Sequence, residues 1–250
     1  MSNLEPRTRR PAGETRALML GTAIERVASE GLHLDYANLE LEDLIRAAGV
    51  PRSTVFRIWP DRDAFIADLV RALFEADPGF EAGFDEATLL LLESTIAAAA
   101  AEPGGREAAL QAVIRETAAH NIVAVEDSLT WRAYRSLSAA LASGDSVPGG
   151  EGIRVLLGEI EQRYVERMAE VYGRLNTALG LRMRTGLTAR DLALAVMGVI
   201  DGMSDHRRID PDAVDRPREV SLGADGTHAW HLAGLAVYGV YTAFTEDAGT

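Results

Sequence analysis

The 250-residue sequence contains no cysteine. Disulfides, thiolate metal sites and cysteine nucleophiles are therefore excluded, and nothing can be inferred about redox compartment. Lysine is absent too: all 25 basic residues are arginine. Aromatic residues make up only 6% of the chain. The opening "MSNLEPRTRRPAGETR" is polar rather than apolar, so export is not expected and a cytoplasmic location is. No apolar run reaches bilayer length. The longest, Ala229–Phe244, would span about 24 Å as a helix, against roughly 30 Å of hydrocarbon.

Apolar residues account for 47% of the chain, enough for a substantial core. The net charge is −13, which at first argues against a polyanionic partner. Its distribution changes that reading. Residues 1–71 hold 10 arginines against 11 acidic residues, whereas residues 72–250 hold 15 against 27. The acid sits on the larger part, where it would repel non-specific nucleic acid while a near-neutral head docks. An ordinary solubility charge explains the same imbalance.

Helical periods dominate, and Gly/Pro clusters punctuate them, so an all-α fold is expected. Residues 15–30 put Leu20, Ile24, Val27 and Ala28 on one face, with Gly31 as the stop. Short helices follow over 40–48 and 51–58, and another from Asp61 toward Glu75. Breaks at "DPGFEAG", "AEPGG" and "SGDSVPGGEG" separate helices near 84–101, 105–122 and 126–142. A long helix then runs from Ile153 to Gly180, with Leu157, Ile160, Tyr164, Met168, Val171, Leu175 and Ala178 as its stripe. Residues 189–205 and 228–245 are apolar almost all round and are expected to be buried, in a dimer seam that Gly198 and Gly202 would tighten. "RRIDPDAVDRPREVSLGADG" between them reads as a long irregular loop. The organisation is therefore a flexible arm over 1–14, a head over 15–60 and a larger helical part over 61–250.

The chemistry concentrates in "AAGVPRSTVFRIWPDRDAF". Ala47 and Ala48 are small enough for two helices to cross closely. Gly49 supplies a left-handed stop, and Pro51 suits the start of the next helix. Leu44, Val50 and Val55 point to a shared core, leaving Arg52, Ser53, Thr54 and Arg57 outside. Arginine reads guanine through O6 and N7, and threonine can bond a phosphate or touch a thymine methyl. Arg62 follows the helix, in reach of a backbone phosphate.

Catalytic alternatives are weak. His228 and His231 lie three apart without a carboxylate cluster, and Asp201, Asp205 and His206 form a lone group. No phosphate-cradling loop or nucleophile elbow occurs, so neither enzyme activity nor a cofactor is expected. "RTRRP" could act as a minor-groove arm, although a solvated tail explains it better.

The stretch "LEDLIRAAGVPRSTVFRIWPDRDAFIADLV" resembles the helix-turn-helix of the TetR family of bacterial transcriptional regulators. The likeness rests on the Ala-Gly-Val turn, Ser53-Thr54 before an apolar–aromatic pair, Trp59 ending the recognition helix and the basic–acidic start of the fourth helix. It implies an all-α homodimer with a head for a double-stranded DNA operator, a body for a small organic effector, and no membrane or catalytic role. A repressor released by its effector is the implied function. The alternative is a ligand-binding or assembly protein whose head has lost operator affinity.

Carried over by position, Arg52, Ser53, Thr54 and Arg57 match recognition-helix contacts. Phe56 replaces a tyrosine that bonds phosphate, and Arg62 replaces a lysine. Glu40 stands at the cap of the second helix and Glu42 at an often basic position. Either carboxylate could weaken phosphate binding, or Glu42 could accept from a cytosine N4. In the larger part, His120, Asn121, Trp131, Tyr134, Tyr164, Met168 and Tyr172 combine apolar walls with polar groups, the mixture a ligand pocket needs.

Overall fold

In the computed structural model, residues 11–30, 40–77, 86–101, 105–144, 147, 150–223 and 226–249 are described. Residues 1–10 of the arginine-rich arm and the stop at Gly31 lie outside them, as do 78–83, 102–104, 145–146 and 148–149 of the Gly/Pro breaks, whereas residues 12–14, expected in the arm, open the first helix. The described residues form helices α1 (Ala12–Glu30), α2 (Leu41–Ala48), α3 (Arg52–Ile58), α4 (Arg62–Ala76), α5 (Glu86–Ala101), α6 (Arg106–Asp127), α7 (Leu129–Ser143), α8 (Gly150–Leu179), α9 (Ala189–Ile209), α10 (Pro211–Asp215) and α11 (Leu232–Phe244). Four short strands accompany them: β1 (Leu181–Met183), β2 (Arg218–Ser221), β3 (Thr227–Trp230) and β4 (Thr245–Asp247). The fold is all-α, as the periodicity predicts.

The chain forms two compact units. One combines the described residues up to 77 with 132–159, and the other combines 86–131 with 160–249.

In the first unit, α1 packs on α2, α3 and α4. Its buried stripe is Met19, Leu20, Ala23 and Val27. Ile24 is only half-buried and Ala28 is exposed, so the inner face is rotated from the expected one. The rotation brings the larger Met19 inward. Phe65, Ile66, Leu69, Val70, Leu73 and Phe74 of α4 complete this core.

A polar node sits inside it. Asp68 accepts two bonds from Arg16, at 2.8 Å from Nε and 2.7 Å from Nη2, and a third at 3.0 Å from the Trp59 indole. Trp59 meets Phe65 edge-on at 5.0 Å. One carboxylate thereby ties α1, the end of α3 and α4 together. Burial disfavours its charge, but the Arg16 and Trp59 bonds outweigh that and hold the carboxyl below its ordinary range. The Asp68 contribution is thus complete above the unfolded carboxylate range, near pH 4, and is lost as pH falls through the lower folded value. Arg16 is 43% exposed, so solvent weakens the pair. Asp68→Ala is expected to destabilise this unit by about 1–2 kcal/mol. The loss should be visible in thermal melts at neutral pH and should shrink in strong acid. A difference that persists unchanged in strong acid would assign it to packing instead.

In the second unit, α6 packs on α5, α9 and α11, and α9 packs on α10 and α11. Thr188 and Asp191 form a reciprocal cap at the start of α9. Near its end, Arg207 bridges Glu126 of α6 and Asp215 of α10. β1 pairs antiparallel with β4, and β2 with β3.

Two expectations are corrected here. The segment read as an irregular loop holds α10, started by Pro211 behind the Asp210 cap, and strand β2. The last helix begins at Leu232 rather than 228, because Val220 pairs with His228 and Arg218 with Trp230 across the β2–β3 ladder. Within the protomer, α9 and α11 keep exposed positions on one side: Leu194 is 44% exposed, and Gly198, Gly239 and Ala243 are exposed as well. The apolar character of those surfaces is not consumed within the chain. Among the described residues, no helix is long and apolar enough to cross a membrane.

Candidate functional sites

The helix-turn-helix is built by its turn. Gly49 takes φ 61°, ending α2, and the next amide donates back from Val50 to the Ile45 carbonyl at 3.3 Å. Pro51, extended at φ −70° and ψ 125°, caps α3, one position earlier than its expected place in the first turn. Glu40 is the N-cap of α2 but makes no side-chain capping bond. Asp61 caps α4 through a 2.8 Å bond from the Ala64 amide.

Leu44, Val50, Val55 and Trp59 are buried, which fixes the inner face of α3. Arg52, Ser53, Phe56 and Arg57 are exposed on its outer face, and Arg62 is half-buried at the start of α4. Thr54 departs from expectation. It is buried, because it shares the inner side of this short helix with Val55 and Ile58.

The two acidic departures behave differently from each other. Glu42 accepts a 2.7 Å bond from Arg52 Nε. The Arg52 guanidinium also lies over the Phe56 ring, 5.1 Å from its centroid. Glu42 therefore engages an arginine of the recognition helix rather than standing alone.

The second unit contains a cavity of about 90 Å³. Its wall is mainly aliphatic, from Leu92 of α5, Val113 and Ile114 of α6, Leu175 of α8, Val196 and Ile200 of α9, and Val237 of α11. Polar groups reach it from Thr88, Thr117, Asn121, Tyr164, Tyr172 and Tyr241. Tyr241 donates at 2.6 Å to the Asn176 side-chain oxygen and meets Tyr172 edge-on at 5.7 Å. Burial, then the nearby Asp201 charge, raises the Tyr164 phenol. Burial, then the neighbouring tyrosines, raises Tyr172. Both stay neutral at physiological pH and present phenol groups to an apolar space.

Of the seven residues expected in a pocket, Asn121, Tyr164, Met168 and Tyr172 line this cavity together. Trp131 is buried one layer behind, edge-on to Tyr164 at 5.4 Å. His120 is exposed, since its neighbour Asn121 takes the inward direction about 100° away around the helix. Tyr134 is buried in the first unit and is not part of the wall. The contributions of α5, α9 and α11, including Thr88, Ala193, Met197 and Tyr241, were not singled out from sequence. Thr117 is a further wall residue, and its place one turn before Asn121 among apolar residues of α6 is the sequence signal for it. The loose carboxylate–histidine group does not assemble: Asp201 is buried while Asp205 and His206 are exposed.

No protein-family profile matches the sequence, and no curated protein matches it. Solved structures do match by shape. A protein assigned to the TetR family of transcriptional regulators, from Mesorhizobium loti, aligns over 96% of this chain and 99% of its own, with 15% identity and a TM-score of 0.51. The SmeT–triclosan complex aligns over 93% and 92%, at 15% identity and a TM-score of 0.46. A protein assigned to the same family, from a Rhodococcus species, aligns over 92% and 96%, at 15% identity and 0.42. By its likeness to the Mesorhizobium loti structure, the chain adopts the fold of the TetR-family transcriptional regulators.

Proposed function

We infer that this protein is a DNA-binding transcriptional regulator that works as a homodimer and represses until a small organic ligand occupies its body. The observation that carries the reading is the outer face of α3. Arg52, Ser53 and Arg57 project from a helix whose inner side is anchored in a core, the arrangement a major groove accepts. In the homodimer, two such helices read a pseudo-palindromic operator, while the acid-rich remainder discourages non-specific contact.

The cavity supplies the ligand site. At about 90 Å³ it is smaller than the roughly 150 Å³ cavity known to take up benzene, so a larger ligand has to displace wall side chains. Met168 and Met197 are suited to move, being unbranched and adaptable. Such displacement gives the ligand a preference for one arrangement of the protein over another, without which no ligand shifts an equilibrium. The neutral phenols and the single amide favour an apolar compound with few polar groups.

Footprinting on DNA flanking its own gene tests the function, with binding measured across salt concentrations. Specific protection and steep salt dependence are expected. Absence of binding at low salt would favour the ligand-binding or assembly reading. Within the interface, Arg57→Ala should weaken binding by roughly 1–3 kcal/mol and relax one base preference. Arg62→Ala should weaken all sequences alike and lower the salt slope by about 1. Equal loss on every sequence for Arg57→Ala would move that residue from base to phosphate.

A further inference from the structure

The Arg52 side chain is held at two places. Glu42 Oε1 takes its Nε at 2.7 Å, and the Phe56 ring supports its flat face from one turn along the helix. Among the described residues, no bond is formed by Nη1 or Nη2. The pair is solvent-exposed, at 68% for the Arg52 side chain and 50% for Glu42, so it contributes little to stability. Its consequence is orientation. A guanidinium gripped at Nε keeps the fork of its two terminal nitrogens open, and that fork fits the O6 and N7 acceptors of guanine.

We propose that Glu42 is a specificity-determining positioning residue, which presents Arg52 end-on to one guanine in each half-site. The inference rests on the DNA-binding reading above and adds to it which residue sets the arginine. Both partners come from the segment that builds the turn. Glu42 lies in the first turn of α2 and Arg52 opens α3, so the Gly49 reversal fixes their separation. The Phe56 ring gives the guanidinium an aromatic face to rest on. An arginine prepared in this way loses less rotamer freedom on binding than a free one. Glu42 also places a negative charge close to the DNA backbone. This raises the cost of docking where no guanine meets the fork, so one carboxylate sharpens the choice in both directions.

The test is selection from a random-sequence duplex library by the full-length protein, followed by affinity measurement on the selected duplex. Wild type should select a guanine that Arg52→Ala no longer selects. Replacing that guanine by 7-deazaguanine, which lacks the N7 acceptor, should weaken wild type roughly ten-fold and leave Arg52→Ala unmoved. Glu42→Ala should lose most of this ten-fold sensitivity, and Glu42→Gln, which keeps an acceptor for Nε, should retain most of it. All these side chains are exposed, so circular dichroism should show every variant folded. Three results would overturn the proposal. Glu42→Ala with undiminished 7-deazaguanine sensitivity and tighter binding would make Glu42 a repulsive charge only. Arg52→Ala with equal loss on every sequence and a lower salt slope would place Arg52 on phosphate. Failure of wild type to select any sequence would remove the DNA-binding reading itself, and that failure shows before any variant is compared.

Discussion

Gly198→Leu is expected to leave the protomer folded while abolishing both dimer formation and tight operator binding. The exposed apolar positions of α9 and α11 motivate it. Leu194 and Gly198 lie one turn apart on α9, as Gly239 and Ala243 do on α11, and the two helices pack on each other. A Cβ added at Gly198, Gly202 or Gly239 meets nothing within 4 Å inside the chain. The protomer thus has room for a side chain at these positions and gains helix propensity, about 1 kcal/mol on leaving glycine. A second protomer laid closely across the same surface has no such room. The expected signature is therefore opposite in sign at two levels, with unchanged or higher protomer stability and a lost assembly. Because two linked heads bind far more tightly than one, operator affinity should fall by roughly 10²–10⁴. Light scattering gives the mass and a gel-shift titration the affinity. Gly202→Leu should behave in the same way. Intact dimers in both variants would place the interface on another surface.

The head was legible because its instructions are local. Gly49 needs a left-handed conformation, Pro51 needs a helix start, and an apolar Val55 turned to the core leaves Arg52, Ser53 and Arg57 outside. Each requirement acts within a few residues. Thr54 shows where this reasoning gives out. On a seven-residue helix the boundary between inner and outer faces is a single position wide, and only packing decides it. The Asp68 node was not anticipated for the opposite reason. Arg16 and Asp68 are 52 residues apart, and nothing in the neighbourhood of either announces the other.

The body was harder to read for the same physical cause. Its cavity draws on five helices, so no single stretch carries the pattern. The long helix gave Tyr164, Met168 and Tyr172 because a stripe at steps of three and four is visible in any one helix. His120 was misplaced because adjacent residues point about 100° apart, and polarity alone does not choose between them. The β2–β3 ladder escaped notice because each strand has four residues, too few for alternation to stand out against helical periods. Exposure of α9 and α11 on one side of the protomer leaves an apolar surface for a second copy to cover, which is the reason for expecting a seam there.

Filling the cavity is expected to uncouple ligand from DNA. Ala193 is 2% exposed and lines the wall from α9, and Ala118 is 5% exposed and lines it from α6. Either alanine changed to leucine puts three additional carbons into a space of about 90 Å³. Where the cavity is empty, the added carbons gain contacts, so the loss of stability should stay below the 1–3 kcal/mol typical of overpacking. Operator affinity should be close to wild type, since neither alanine belongs to the head. The ligand response should be abolished. A library of small apolar compounds, scored by release of operator DNA and by Trp131 emission, identifies a releasing compound for wild type. Trp131 reports because it rests edge-on against Tyr164, a residue of the wall. In Ala193→Leu and Ala118→Leu the same compound should neither release DNA nor change that emission. Tyr164→Phe removes only the phenol hydroxyl, and should weaken the response by roughly ten-fold if that hydroxyl bonds the ligand, the usual scale for a buried hydrogen bond. Full release from both filled variants would show that the ligand acts from another surface. The cavity would then be a packing defect of the body and not its sensor.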